Sequence, residues 1–345
     1  MTRRKMRGDI TFRSGRLVQW IGTALLGAVL FLVFWTWTAL QPVNPQDHQA
    51  IYVKIVPGQS AAQIGRVLYQ KKLIRSAFAF RLLTRFSHQA RSLQSGVYRL
   101  SPSQNPQQML AMMEEGKVVT IRVSIPEGFT VQQIVHRLVM HHIGTTQEFA
   151  SLLKTPLPGM PKPAPGVKDP YEGYLFPATY QFPYGTTPKQ ALTTMWTTFV
   201  TRVLPLYKKS HSSLSLSQWV TLASIVQVED KNPGDASKIA GVFINRLKIG
   251  MPLQSDATVR YAIGHPITGS LSYTNLQVLS PYNTYLHKGL PPGPISNPGI
   301  LALKAALHPA KVPYLYFIAL PNGHTLFATT YQQQLANIQY ANQHF

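Results

Sequence analysis

The sequence predicts an α+β protein with a single N-terminal transmembrane helix, a small βα module and a larger mixed α/β domain. Three observations carry this prediction. An uncharged apolar run occupies residues 17–40, and a strand–turn–helix pattern occurs twice between residues 53 and 138. After residue 170, helical patterns are followed by loop-rich and strand-like stretches.

The apolar run is long enough to cross a bilayer. As a helix, residues 17–40 would extend about 36 Å, against a hydrocarbon core of about 30 Å. Trp20, Trp35 and Trp37 lie near its ends, where interfacial indoles are common. A cleaved signal peptide is the alternative. Because the run exceeds the usual 7–15 residues and no A-x-A-like site precedes Gln41, we favour an uncleaved anchor.

Basic residues fix the expected orientation of this anchor. Six arginines and lysines precede residue 17, and the next basic residue is Lys54. Positive charge stays on the cytoplasmic side. We therefore expect a cytoplasmic tail at 1–16, a transmembrane helix at 17–40 and a polar stalk at 41–50. The body would then be periplasmic, and the chain a single-pass protein of the cell inner membrane.

Composition narrows the function classes. The 345 residues include 33 basic and 12 acidic ones, which gives a net charge of +21, and no cysteine. Disulfide scaffolds, thiol nucleophiles and cysteine-bound zinc are thereby excluded. The basic residues form no long tract, so an anionic matrix or membrane surface is favoured over nucleic acid as partner. His136 and the pair His141 and His142 lack a matching acid, so we expect no metal site and no cofactor.

The repeat suggests a glycan-binding module. Residues 53–68 align without gaps on residues 123–138, and each copy reads as strand, glycine turn, capped helix, with Ser60 and Thr130 as caps. The unit resembles half of a LysM module, a fold that binds polymers containing N-acetylglucosamine. A generic structural βα unit is the alternative. We assign 51–153 to a LysM-like region.

A proline-rich segment follows this region. Residues 154–170 contain six prolines, which exclude a helix or a central strand. We interpret the segment as a linker or an extended wall between domains, and residues 171–345 as the main domain. Helices are expected at 77–86, 106–115, 188–206, 216–230, 236–249 and from 331, with strands at 314–319 and 325–328.

The main domain has few carboxyl groups. They are Glu172, Glu229, Asp230, Asp235 and Asp256. Glu229 lies three, four and seven positions after Val226, Ile225 and Leu222, which places it on the apolar stripe of a helix, in its last turn. Apolar burial and the negative end of the helix dipole should both raise the pKa of its carboxyl, as a general acid requires. A capping or surface glutamate is the alternative.

Aromatic and amide side chains surround these acids in four segments, beginning at 171, 254, 282 and 289. Rings stack on apolar sugar faces, and amides and hydroxyls pair with sugar hydroxyls. We therefore predict a polysaccharide groove that contains Glu172, Tyr174, Gln254, Ser255, Asp256, Tyr282, Asn283, Thr284, Tyr285 and Asn297.

At this point the chain resembles a known family. The stretches EGYLFPATY, LASIVQVED, VFINRLKIGMPLQSDATV, SPYNTY and KGLPPGPISNPG are similar, in order, to those of the endolytic murein transglycosylases (YceG-like). The resemblance implies cleavage of MurNAc-β-1,4-GlcNAc bonds in nascent peptidoglycan to 1,6-anhydromuramoyl ends, with Glu229 at the catalytic position. Peptidoglycan strands would be the partner, and a peptidoglycan synthase is a further candidate.

Three positions depart from the family pattern. Gln227 replaces a glutamate, Ala178 an aspartate and Ala257 a proline. The mechanism that the resemblance implies needs one carboxyl, because the muramoyl 6-hydroxyl replaces water as nucleophile. Two alternatives stay open: a non-catalytic peptidoglycan-binding scaffold, and a hydrolytic muramidase that pairs Glu229 with Glu172 or Asp256.

Overall fold

The computed structural model describes residues 11–87, 93–232 and 234–345, with side chains from residue 20 onward. The chain divides into two compact units. The first comprises the residues up to Thr120 together with Pro183–Gly185, and the second Ile121–Phe182 and Thr186–Phe345. The boundary therefore lies near residue 120, whereas the sequence suggested one near residue 153.

The first unit begins with the apolar helix α1, Thr11–Ala39, whose membrane-length portion is Trp20–Ala39. Residues 1–10 of the predicted tail lie outside the described residues. A strand–helix–helix–strand arrangement and one further helix follow: β1 Ile51–Ile55, α2 Ala61–Gln70, α3 Ala77–Phe86, β2 Gly96–Leu100 and α4 Pro106–Glu114. Strands β1 and β2 pair antiparallel with Val53 opposite Tyr98, and both residues enter a core with Ile64, Leu68 and Phe80.

The segment predicted as a stalk is hydrogen-bonded to this unit. The Arg75 guanidinium donates to the carbonyls of Pro42 and Val43, and the Asn44 amide donates to the carbonyl of Pro102 at 3.1 Å. Residues 42–44 are therefore held against the folded body and do not form a free spacer.

The second unit repeats the strand–helix–helix–strand order. Strand β3 (Thr120–Ser124) pairs with β4 (Thr179–Pro183), and between them lie α5 (Val131–Met140) and α6 (Thr146–Leu152). Ser60 and Thr130 both form capping boxes with a glutamine three residues on, as the repeat predicted. The two copies belong to different units, however, because Val123, Ile125, Ile134 and Leu138 are buried in the core of the second.

The proline-rich segment is also part of the second unit. Residues 154–170 contain neither helix nor strand, as predicted. Met160 is nevertheless buried in the core, and Leu157 packs against it. The same compact unit continues on both sides of the segment.

Helices form most of the remaining chain. In order, the elements are α7 Pro188–Arg202, α8 Leu204–Lys209, α9 Leu216–Glu229, α10 Ala236–Lys248, α11 Asp256–Ile263, α12 Tyr273–Leu276, α13 Ile300–Leu307, β5 Tyr316–Ala319, β6 Thr325–Ala328 and α14 Tyr331–His344. The single helix predicted over 188–206 is two, with a break at Val203, because Pro205 cannot continue the hydrogen-bond ladder of α7. Helix α9 lies at the centre and packs against α10, α11 and α13.

Candidate active site

Helix α9 carries Glu229 out of the protein core. Ser215 caps its start through a capping box, and every residue from Trp219 to Val226 is buried. The helix therefore has no exposed face along its middle turns, in contrast to the amphipathic stripe expected from the sequence. Glu229 lies in the last turn, as predicted, and is the last residue of the helix; its side chain is only partly exposed.

Ser255 is the hydroxyl partner of Glu229. Its Oγ donates to Glu229 Oε1 at 2.5 Å. Ser255 is also the N-cap residue of α11, yet its side chain makes no capping bond to that helix. The Ala257 amide instead donates to the Glu229 carboxyl. Glu229, which ends one helix, thus completes the N-terminal cap of another.

Several influences act on the proton affinity of Glu229. Burial raises the pKa of its carboxyl above the ordinary value, and the negative charge of Asp256 acts in the same direction. The Ser255 hydroxyl, the Lys231 charge and the Ala257 amide oppose this rise. The net direction is upward, which favours the protonated form that a general acid uses.

Asp256 and Tyr285 form a second polar pair beside Glu229. The Tyr285 hydroxyl donates to Asp256 Oδ1 at 2.7 Å, and Asp256 is exposed in the first turn of α11. Burial and the neighbouring carboxylates raise the pKa of Tyr285, so its hydroxyl stays protonated and keeps donating to Asp256. The pair places a solvent-facing carboxylate next to the carboxyl of Glu229.

Thr284 joins the 282–285 loop to the start of α11. Its Oγ1 accepts from the Ser255 amide at 3.0 Å and lies 2.8 Å from Thr258 Oγ1, while its carbonyl accepts from the Gln254 amide at 3.1 Å. Asn283 holds the loop itself, because its side-chain amide donates to the carbonyls of Leu276 and Val278. Both side chains are buried and position the loop.

Gln254 combines backbone strain with exposure. Its φ of 47° lies in the left-handed region, which residues other than glycine seldom occupy, and its side chain faces solvent next to Ser255. Strained conformations of this kind persist where the surroundings impose them, often at functional sites. Gln254 is therefore a predicted groove residue with an exposed side chain, adjacent in sequence to the hydroxyl partner of Glu229.

Sequence reasoning missed Arg246. This buried residue of α10 donates through Nη1 to the Leu253 carbonyl at 2.7 Å and through Nε to the Leu315 carbonyl at 2.6 Å. Arg246 thereby holds the segment that leads to Ser255. The charge of Arg246 interacts with that of Glu229, and burial lowers the pKa of the Arg246 guanidinium. Its position seven residues after Ile239 and three after Phe243, on the buried face of α10, was the available signal.

Four predicted groove residues lie elsewhere, in the interior. Glu172 accepts from the Val131 amide at 3.1 and 3.2 Å and from Asn297 Nδ2 at 2.9 Å, and it is 2% exposed. Tyr174 packs edge-on against Trp196 and Phe199. The Tyr282 hydroxyl accepts from the Lys168 amide. Contact of these residues with a substrate does not fit their burial, since their polar atoms are engaged within the protein.

Burial also governs the chemistry of Glu172. It raises the pKa of the Glu172 carboxyl well above its ordinary value, and the nearby charge of Asp169 acts in the same direction. Asn297 completes the network, because its Oδ1 accepts from the Leu175 amide and its Nδ2 donates to the Phe129 carbonyl as well. The Tyr261 hydroxyl of α11 is a further partner of Glu172. Glu172 is thus bonded within a buried network, whereas Glu229 is partly exposed and bonded to Ser255.

Comparison with known proteins gives a consistent result. The YceG-like family model matches residues 53–340. An endolytic murein transglycosylase of Bacillus subtilis (strain 168) is 32% identical over 309 residues, which is 85% of either chain. One from Streptococcus pneumoniae serotype 2 is 27% identical, and the match covers 87% of this chain and 60% of that protein.

A solved structure extends the likeness to the fold. The crystal structure of a YceG-like protein from Listeria monocytogenes has a TM-score of 0.53 and 35% identity, and the match covers 84% of this chain and 99% of that one. The family match spans both compact units and includes every residue of the site around Glu229. The chain therefore belongs to the YceG-like family, and the sequence-based expectation of an enzyme of the endolytic murein transglycosylase class is confirmed.

Proposed function

We propose that this enzyme cleaves MurNAc-β-1,4-GlcNAc bonds within nascent glycan strands of peptidoglycan and leaves 1,6-anhydromuramoyl ends, which terminate the strands. The observation that carries the proposal is the environment of Glu229. Its carboxyl lies at the end of α9 and is partly exposed. Burial raises its pKa, and the Ser255 hydroxyl and the Ala257 amide donate to it. Such a group can both give and take a proton.

The reaction then needs one carboxyl and no water. Glu229 protonates the glycosidic oxygen as the bond from that oxygen to the muramoyl C1 breaks. The muramoyl 6-hydroxyl forms the new bond to C1 and returns its proton to the Glu229 carboxylate. Bonds and protons balance within the substrate, so the two products together have the mass of the substrate.

The neighbouring residues have supporting roles in this proposal. Ser255 orients the Glu229 carboxyl and stabilises its ionised form. Gln254 and Tyr285 offer an amide and a hydroxyl for sugar hydroxyls or acetamides. Asp256 engages Tyr285 and raises the pKa of Glu229 through its charge. The surrounding loops are held by the buried residues Glu172, Tyr174, Tyr282, Asn283, Thr284 and Asn297.

A hydrolytic muramidase is the second candidate, because Asp256 supplies a carboxylate near Glu229. Glu172 supports it less, since it lies in the buried network. Product mass separates the two reactions: hydrolysis adds one water to each cleaved bond, and transglycosylation adds none.

The decisive experiment compares anhydromuropeptide release from isolated sacculi by wild type and Glu229→Gln. We expect a loss of at least about 100-fold, because the amide cannot transfer a proton. Asp230→Asn is the matched control, since Asp230 is the adjacent carboxyl at the end of the same helix. Near-normal release by Glu229→Gln would contradict the assignment, and sacculus binding without release by the wild type would indicate a scaffold. Loss of release in Asp256→Asn as well would indicate two carboxyls.

The first unit, we further propose, binds glycan strands. Its β1–α2–α3–β2 order and antiparallel pair of strands are compatible with the LysM-like module suggested by the repeat. We also propose that α1 anchors the protein in the inner membrane, with the enzyme on the periplasmic side. The length and apolar character of Trp20–Ala39 support this.

A further inference from the structure

The end of α1 is in contact with the folded part of the first unit. The Trp35 ring lies 6.1 Å from the Phe78 ring, between centroids, and Ala39 is buried. Arg75, just before α3, donates to the carbonyls of Pro42 and Val43, directly after α1. Helix α3 is therefore fixed next to the last turn of α1.

This contact places α3 at a definite depth relative to α1. The membrane-length portion Trp20–Ala39 has 20 residues and extends about 30 Å, the thickness of the hydrocarbon core. Trp35 stands four residues before its end, about 6 Å along the axis. Tryptophan rings favour the boundary between acyl chains and headgroups. A ring in contact with Trp35, such as that of Phe78, reaches the same level.

The outward face of α3 has the side chains of an interfacial helix. Phe78, Arg81, Leu82, Arg85 and Phe86 follow at intervals of three, four, seven and eight residues, and therefore share one face. Phe78 is 54% and Phe86 74% exposed. The opposite face, with Ala79, Phe80 and Thr84, is buried in the unit.

Charge on this part of the unit has one predominant sign. Between residues 41 and 87 the chain has seven basic residues and one acidic one, Asp47. Arg81 and Arg85 lie on the outward face of α3, and the Arg81 guanidinium stands 5.3 Å from the centroid of the Phe78 ring. Arginine side chains beside exposed apolar ones are typical of helices that lie on anionic lipid surfaces.

We propose that α3 is a second membrane contact, which lies in the headgroup region of an anionic phospholipid bilayer beside the anchor. Phe78, Leu82 and Phe86 enter the boundary of the acyl chains, and Arg81 and Arg85 bind lipid phosphates. The proposal rests on the proposed anchoring by α1. It goes beyond anchoring, because it specifies which face of the first unit lies on the membrane.

Depth measurement in proteoliposomes tests this inference on the full chain. The chain has no cysteine, so single substitutions Phe78→Cys, Leu82→Cys and Phe86→Cys carry a nitroxide label without background. In vesicles containing phosphatidylglycerol, we expect these labels to be more accessible to oxygen and less accessible to a water-soluble nickel relaxant than a label at Tyr52→Cys. Tyr52 is 57% exposed, close to the 54% of Phe78, but lies on strand β1.

A label at Val29→Cys, within α1, separates failure of the anchor from failure of this proposal. If Val29 lies in lipid but the three α3 positions match Tyr52, the contact of α3 with the bilayer is refuted while the anchor stands. If Val29 is water-exposed, the anchor itself fails.

The role of charge is tested with two double variants that change the net charge equally at different places. Arg81→Glu/Arg85→Glu should reduce the depth of the Leu82 label in anionic vesicles, whereas Lys54→Glu/Arg99→Glu, an equal change of charge on the β1–β2 sheet, should not. Equal depth of the Leu82 label in purely zwitterionic vesicles, or an equal effect of both pairs, would overturn the preference of Arg81 and Arg85 for anionic lipid.

Discussion

Ser255 provides the strongest polar influence that opposes the raised pKa of Glu229, through a single hydrogen bond. Ser255→Ala removes this bond, so the pKa of Glu229 should rise further above its ordinary value. A general acid is active while protonated. The basic limb of the pH profile of kcat/KM should therefore move to higher pH, with a lower maximum because the carboxyl is less well oriented.

The measurement is kcat/KM on soluble glycan strands from pH 5 to 9. Ser151→Ala, which removes an exposed hydroxyl bonded to its own helix, should leave the limb in place. A limb that stays in place or moves to lower pH in Ser255→Ala would show that Ser255 does not act on the proton of Glu229.

Glu172 gives a prediction for stability. Its pKa is raised well above the unfolded value, so the folded state holds a proton that the unfolded chain releases first. The free energy of unfolding should therefore decrease as pH rises from the unfolded pKa toward the folded one. Glu172→Gln keeps the acceptor for the Val131 amide and cannot ionise. Its stability relative to wild type should be higher at pH 8 than at pH 5.

Urea unfolding at the two pH values checks this, with exposed Glu115→Gln as the control. Glu172→Ala should unfold more easily at both, by about 2 kcal/mol or more, because it leaves buried donors without an acceptor. If Glu172→Gln shows the same pH dependence as wild type, another group titrates.

At the scale of elements, local signals explain what the sequence predicted well. Caps such as Ser60 and Thr130, and the apolar run ending at Glu229, depend on residues within one or two turns. The cap that Glu229 gives α11 joins residues 26 or more positions apart, and no periodicity reports it. Glu172 was assigned to the groove because of its sequence pattern, although it lies in the core. An acid among aromatic residues has the same pattern in both places.

The placement of β3 and α5 in the core of the second unit predicts the outcome of two deletions. Deleting 51–118 removes elements of the first unit only, so some activity on short soluble glycans should remain while sacculus binding weakens. Deleting 51–140 also removes Val123, Ile125, Ile134 and Leu138 from the second core, so this variant should not fold. Circular dichroism melting and pull-down with sacculi measure both. A cooperative melt of the longer deletion would show that the second copy of the repeat is dispensable.

At the scale of the whole molecule, the prediction concerns membrane topology, which decides whether the enzyme lies on the same side of the membrane as peptidoglycan. Six basic residues before residue 17 and none from 17 to 53 predict a cytoplasmic N-terminus. A reporter active only in the periplasm, fused after Phe345, should work, and one active only in the cytoplasm should be silent. The reverse pattern would place the protein on the other side of the membrane.

The double role of Glu229 links the proposed chemistry to the backbone. Its carboxyl ends α9 and receives the first-turn amide of α11. When it has given its proton away, the resulting negative charge faces the positive end of α11, an interaction of about 0.3–1 kcal/mol in typical cases. The helix thus favours the state that must next act as base, and it loses that interaction when the proton returns. In each catalytic cycle, the electrostatic stability of the first turn of α11 would rise and fall with the protonation of a residue in another helix.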